Sequence, residues 1–95
     1  MKIKELKPGM NNVNIKAKIS ELREPREVMT KFGSATTLTE IILEDDSGSI
    51  KLTLWGKQAD GLEQDQEVEI VGGFTKEFRE ETQLGIGRSG SIKVA

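Results

Sequence analysis

Ile50-Lys-Leu-Thr-Leu-Trp55 is the stretch that decides the fold. Its apolar residues fall on every second position, the period of a strand with one face buried and the other open. Directly before it, Asp45-Asp-Ser-Gly-Ser49 carries the residues of a tight hairpin loop, so another strand must precede it. Ala35 to Glu44, rich in Thr, Ile and Leu, supplies that strand. Its phase slips between Leu38 and Ile41-Ile42-Leu43, which predicts a bulge or strong coiling there. Working outward, Val13-Asn-Ile-Lys-Ala-Lys-Ile19 alternates as cleanly, and Val68-Glu-Ile70 opens a further strand. Gln83-Leu-Gly-Ile86 and Ser91-Ile-Lys-Val94 read as one last strand interrupted by glycines, with Arg79-Glu-Glu-Thr82 at the turn before it. The segment from Lys57 to Asp65 has room for one helical turn and no more. Five strands with short connections predict an all-β barrel, because a flat sheet of this size leaves one face uncovered.

Ninety-five residues suit one domain, residues 1–95, and leave no material for a second core. No apolar run approaches the ~20 residues of a membrane span, and no apolar segment follows the first lysines as in a secretory leader. A cytoplasmic location follows by default. The chain has no cysteine and no histidine, which excludes disulfides, thiolate chemistry, histidine-based triads and most zinc sites. The expectation is a protein that is not an enzyme, with no cofactor, no small-molecule substrate and no membrane partner. The net charge of −2 is unevenly spread. Residues 1–32 hold eight Lys/Arg against four Glu, a local +4, and residues 33–95 hold six against twelve acids, a local −6. Local potential, not the total, decides whether phosphate is attracted.

The aromatic residues avoid the expected core. Val13, Ile15, Ala17, Ile19, Ile50, Leu52, Leu54, Val68, Ile70, Leu84, Ile86, Ile92 and Val94 occupy the inward phase, and none is aromatic. If Ile50, Leu52 and Leu54 face inward, Lys51, Thr53 and Trp55 share the open face. Phe74, Lys76 and Phe78 share a parity of their own after Gly72-Gly73, where a bulge re-aims the chain. Arg79 adjoins Phe78, and Lys31-Phe32 sits at a predicted loop tip. The plainer reading makes the Phe side chains plugs for the barrel ends and Trp55 the cover of a minor cluster. Aromatics interleaved with cations favour the other reading, a surface for single-stranded nucleic acid, whose bases stack and whose phosphates need positive charge.

Two stretches then carry a resemblance. Leu6-Lys-Pro-Gly-Met-Asn-Asn-Val-Asn14 and Asp46-Ser-Gly-Ser-Ile-Lys-Leu-Thr-Leu-Trp-Gly-Lys57 resemble archaeal single-stranded-DNA-binding proteins and archaeal replication protein A domains. Gly73-Phe-Thr-Lys-Glu-Phe78 is similar to the aromatic-x-x-x-aromatic segment of that family. The resemblance covers roughly residues 3 to 94. It implies an OB-fold that binds single-stranded DNA in replication, repair and recombination, with base stacking at Trp55, Phe74 and Phe78. It also implies that the chain is either a whole protein or one OB domain of a longer one, whose other OB domains would be partners. The flexible tail of the simple family members and the zinc motif of some replication protein A chains are both absent from these residues.

Other patterns weigh less. Gly85-Ile-Gly-Arg-Ser-Gly90 matches G-x-G-x-x-G, but a dinucleotide site requires a following helix, and five residues cannot form one. Glu44, Asp45 and Asp46 are acids at a turn, a weak candidate for magnesium and for a carboxylate nuclease. A protein-interaction OB module suits the acidic C-terminal two-thirds. Single-stranded RNA also stays open, because stacking ignores the 2′-hydroxyl.

Overall fold

Alternation in the sequence becomes alternation of burial. In a computed structural model, which describes residues 2–59 and 61–94, Val13, Ile15, Ala17 and Ile19 are buried, and Asn14, Lys16 and Lys18 are exposed. They belong to β1 (Val13–Leu22), which is followed by β2 (Arg26–Met29), β3 (Ala35–Asp45), β4 (Gly48–Trp55), β5 (Glu67–Phe78) and β6 (Glu81–Val94). The strands form one sheet in the order β1-β5-β6-β4-β3-β2, and β1 also pairs with β3. That extra pairing closes β1, β5, β6, β4 and β3 into a five-stranded barrel. The short β2 stays outside it, paired with β3 from Arg26↔Leu38 to Met29↔Ala35. All pairings are antiparallel except β4 with β6. A 3-10 turn at Gly56–Ala59 fills the expected place between β4 and β5.

The bulge expected in β3 is not there. β3 and β4 pair without a shift from Leu38↔Trp55 to Asp45↔Gly48, and β3 buries Thr39, Ile41 and Leu43 in strict alternation. The apparent slip arises because Leu38 and Ile42 are apolar residues on the outer face, where they are half-buried. The irregularity lies instead on β1, between Ile19 and Glu21, where the Ser20 hydroxyl donates to the Ile42 carbonyl at 3.2 Å. A second shift falls between Val71 and Gly73 on β5. There Gly72 takes φ +72°, a left-handed conformation that disfavours side chains, and its N–H donates to Asn14 Oδ1 at 3.0 Å. This shift changes which parity faces inward. Val68 and Ile70 are buried before it, and Gly73 and Thr75 after it, so Phe74, Lys76 and Phe78 turn outward.

The core contains the expected residues with two adjustments. Ile3, Leu6, Ile41 and Leu43 are also buried. Ile92 packs only partly against the core, and Val94, near the end of β6, is 53% exposed. Ile3 opens a 3-10 turn at Ile3–Glu5, Leu6 follows it, and the turn packs on β4 with both side chains in the core. Its anchor is Asp45, whose Oδ2 accepts from Ile3 N at 2.8 Å, and whose Oδ1 accepts from Ser47 N at 2.7 Å and Gly48 N at 3.1 Å. Partial burial pushes this carboxyl up, but the hydrogen bonds from Ser47, Ile3 and Gly48 outweigh it and hold its pKa at about 2.

Candidate functional site

The outward residues of β2, β3, β4, β6 and β5 fall into transverse rows, because paired residues in a sheet point to the same side. The first row is Arg26, Leu38 and Trp55. Next to it runs Glu40, Thr53, Gly85 and Phe74. The third is Ile42, Lys51, Gln83 and Lys76, and Phe78 pairs with Glu81 beyond it. A groove of about 340 Å³ runs over these rows, from Arg26 and Leu38 past Thr53 and Trp55 to Lys76, Gln83 and Phe78.

Trp55 is 46% exposed and stands clear of Ile50, Leu52 and Leu54, which are buried on the other side of β4. Its backbone is fixed by Gln58, whose Oε1 accepts from Trp55 N at 2.9 Å and whose Nε2 reaches the Ile86 carbonyl at 3.4 Å. Its cross-strand neighbour Leu38 lines the same groove. Phe78 is 53% exposed, with the Arg79 guanidinium 5.2 Å from its ring centroid. Phe74 is half-buried. The outer end of its ring rests against Gly85, where an added Cβ would meet Phe74 Cζ at 2.6 Å; a Cβ added at Gly87 would lie 3.9 Å from Phe74 Cδ1. The first glycines of the G-x-G-x-x-G pattern therefore seat an aromatic ring. They lie inside β6 with no helix after them, and the side chains of Arg88 and Ser89 fall outside those described.

Lys31 and Phe32 sit in the turn joining β2 to β3, with Lys31 Nζ 5.3 Å from the Phe32 centroid and the ring 83% exposed. They do not line the groove. Arg79 lies in the two-residue turn between β5 and β6, and both Arg79 and Glu80 have positive φ, +52° and +65°. Such a turn matches strand twist but normally uses Asn-Gly, so these residues hold local strain.

Charge in the groove is organised by one residue that sequence reading missed. Glu40, on the outer face of β3, accepts from Arg23 Nη1 at 2.9 Å and Arg26 Nη2 at 2.8 Å, and Lys51 Nζ lies 3.7 Å away. Arg23 also binds Glu21 at 2.7 Å; this hydrogen bond and that to Glu40 raise its pKa. Lys51 is thus a partly neutralised cation. Lys31, Lys76 and Arg79 form no ion pair among the described residues. Two of the three acids considered for a metal are also committed: Asp45 caps the β3–β4 turn and Asp46 pairs with Lys2 at 2.5 Å. Among the described residues, no three acidic side chains are grouped as metal ligands would be. No described helix is long and apolar enough to cross a membrane.

A closed five-stranded barrel with one face groove between two hairpins defines an OB-fold domain. The chain matches the family described as "Single-stranded DNA binding protein Ssb-like, OB fold" over residues 6–94, and it belongs to that family. It is 38% identical over 94 residues to the single-stranded DNA binding protein Ssb of Saccharolobus solfataricus, covering 99% of this chain and 63% of that protein. The chain therefore spans less than two-thirds of that relative. Among solved structures it is similar to the second OB-fold domain of replication protein A from Methanococcus maripaludis, with 27% identity and a TM-score of 0.83, covering 99% and 92% of the two chains. It is also similar in fold to a chain of a replication protein A heterotrimer bound to single-stranded DNA, with 22% identity and a TM-score of 0.81, covering 100% of this chain and 24% of the other.

Proposed function

We propose that this domain binds single-stranded DNA with little sequence preference and without catalysis, in replication, repair and recombination. Trp55, Phe74 and Phe78 stack bases, and Lys31, Lys76 and Arg79 contact phosphates. Thr53 and the Glu40-bound Lys51 line the path, and Phe32 supplies an apolar tip on the opposite hairpin. The observation that carries this reading is the placement of all three aromatics on one outer face that the core does not need. Stacking is worth roughly 1–3 kcal/mol per base, so three aromatics supply about 3–9 kcal/mol before ordering costs. That places an isolated domain nearer micromolar than nanomolar affinity, because about 8 kcal/mol corresponds to ~1 μM. The domain, residues 1–95, works either alone or beside other OB domains of a longer chain, in the cytoplasm.

Anisotropy of labelled oligonucleotides tests the proposal. Single-stranded DNA should saturate the protein at micromolar concentrations, and duplex DNA should bind much more weakly, because its bases are already stacked and paired. Equal affinity for duplex and single strand would refute base stacking. A marked preference for RNA would transfer the site to RNA, since only a contact to the 2′-hydroxyl separates the two. Incubation with magnesium should leave the labelled strand uncut.

A further inference from the structure

Gln83 lies in the middle of the candidate face, and sequence reading gives it no role. Its β6 neighbours Leu84 and Ile86 face the core, so Gln83 shares the outward parity of Gly85 and points into the groove. It pairs in register with Lys51 on β4 and Lys76 on β5, one on each side. Only 8% of the residue is exposed, yet its amide makes no hydrogen bond among the described residues, and no described buried polar atom is left wholly enclosed without a partner. The amide atoms therefore open to the groove. A glutamine confined in this way would ordinarily spend its donor and acceptor on the protein. Phe78 and Phe74 are its diagonal neighbours across the β5–β6 pair, within the ~7–8 Å reach of long side chains.

We infer that Gln83 reads the edge of a base stacked on Phe74 or Phe78, an inference that rests on the single-strand reading above. An amide presents one acceptor and one donor side by side, and a half-turn of its terminal bond exchanges them. Each of the four bases carries an adjacent donor and acceptor on its pairing edge. A rotatable amide complements all of them, whereas a charged side chain would select among them. Gln83 thus supplies a polar contact without imposing sequence.

The test compares oligo-dT, oligo-dC and oligo-dA of equal length on the wild-type domain and on Gln83→Met and Gln83→Glu, alongside thermal melting. Gln83→Met keeps the length of the side chain and should weaken all three oligonucleotides about 2- to 12-fold, the worth of one hydrogen bond, with melting unchanged. Gln83→Glu can only accept. It should lose more affinity for oligo-dT, whose single N3–H lies between two carbonyls, than for oligo-dC or oligo-dA, whose amino groups donate. This ratio is measured within one protein, so a general loss of stability or affinity cancels. An unchanged dC-to-dT ratio in Gln83→Glu, or full affinity in Gln83→Met, overturns the role of Gln83 and leaves the single-strand reading intact. Failure of the wild-type domain to bind any oligonucleotide overturns that reading itself.

Discussion

Gly85→Ala probes how the fold prepares a stacking surface. A methyl group at this position meets Phe74 Cζ at 2.6 Å and both Cε atoms at 3.1 Å, against 3.4 Å for ordinary contact. The ring must retreat by roughly 0.8 Å, the difference between 2.6 and 3.4 Å. Because the contact is with the outer end of a side chain, a swing of roughly 10° suffices, well inside the ~30° that costs about 0.5–1.5 kcal/mol. Stability should therefore fall by less than about 1 kcal/mol. Binding should suffer more, because a displaced ring carries its base out of line with Trp55 and Gln83. A gap of 0.5–1 Å forfeits about a quarter to a half of a contact's worth, so a 1–3 kcal/mol stack loses about 0.25–1.5 kcal/mol, or about 1.5- to 12-fold in affinity. Gly87→Ala is the internal control: its methyl would sit 3.9 Å from Phe74 Cδ1, an ordinary contact, and both properties should hold. Thermal melting and oligonucleotide titration of the two variants give the answer. If Gly85→Ala and Gly87→Ala behave alike, Gly85 is not the seat of the ring.

Three further outcomes follow from local chemistry. Asp45 has a folded pKa of about 2 against an ordinary 3.8, so its stabilisation is present above about pH 4 and lost as the pH falls through about 2. Asp45→Asn should cost about 1–2 kcal/mol at neutral pH, and the gap to wild type in acid melting curves should narrow between pH 4 and 2; a constant gap would show that the charge is irrelevant. Glu80→Gly relieves a left-handed residue and should raise stability by about 0.5–1 kcal/mol, a few degrees in melting temperature, whereas a fall would mean that the turn is unstrained. With Lys31, Lys76 and Arg79 on phosphates, log K should fall against log salt with a slope near −2, at about −0.7 per phosphate. Glu40→Gln releases Arg26 and Lys51 and should steepen that slope; an unchanged slope would place those cations off the DNA path.

The sequence reveals strands where one face must be buried. Val13–Ile19 and Ile50–Trp55 are legible for that reason, and the open-face parity of Thr53 and Trp55 comes with them. β3 hides its phase because Leu38 and Ile42 cover outer rows, which makes Ile41 and Leu43 hard to place. β2 gives no signal: Arg26 and Glu27 follow Pro25, and a strand paired on one side only needs no apolar face. Ile3 and Leu6 belong to a single short turn, too brief for any period to show. In the candidate site, Trp55 and Phe74 stand out by their strand parity, and Phe78 by its charged neighbours Glu77 and Arg79. Glu40 and Gln83 are ordinary polar residues in sequence. Their places become visible only when register sets Glu40 beside Arg26 and Lys51, and Gln83 between two lysines. The glycines of β6 mislead in the same way, since their reason lies on β5 at Phe74.

Trp55 is the chain's single tryptophan and reports on the central claim directly. Titration with unlabelled oligo-dT should quench its emission saturably, at a micromolar midpoint that shifts with salt as given above. Trp55→Ala should then bind the same oligonucleotide about 5- to 150-fold more weakly, the worth of one stacked base, and melt near the wild-type temperature because its side chain leaves the core untouched. Emission that does not respond to oligo-dT, together with full affinity and lost stability in Trp55→Ala, would make Trp55 a structural residue and place any single-strand site elsewhere.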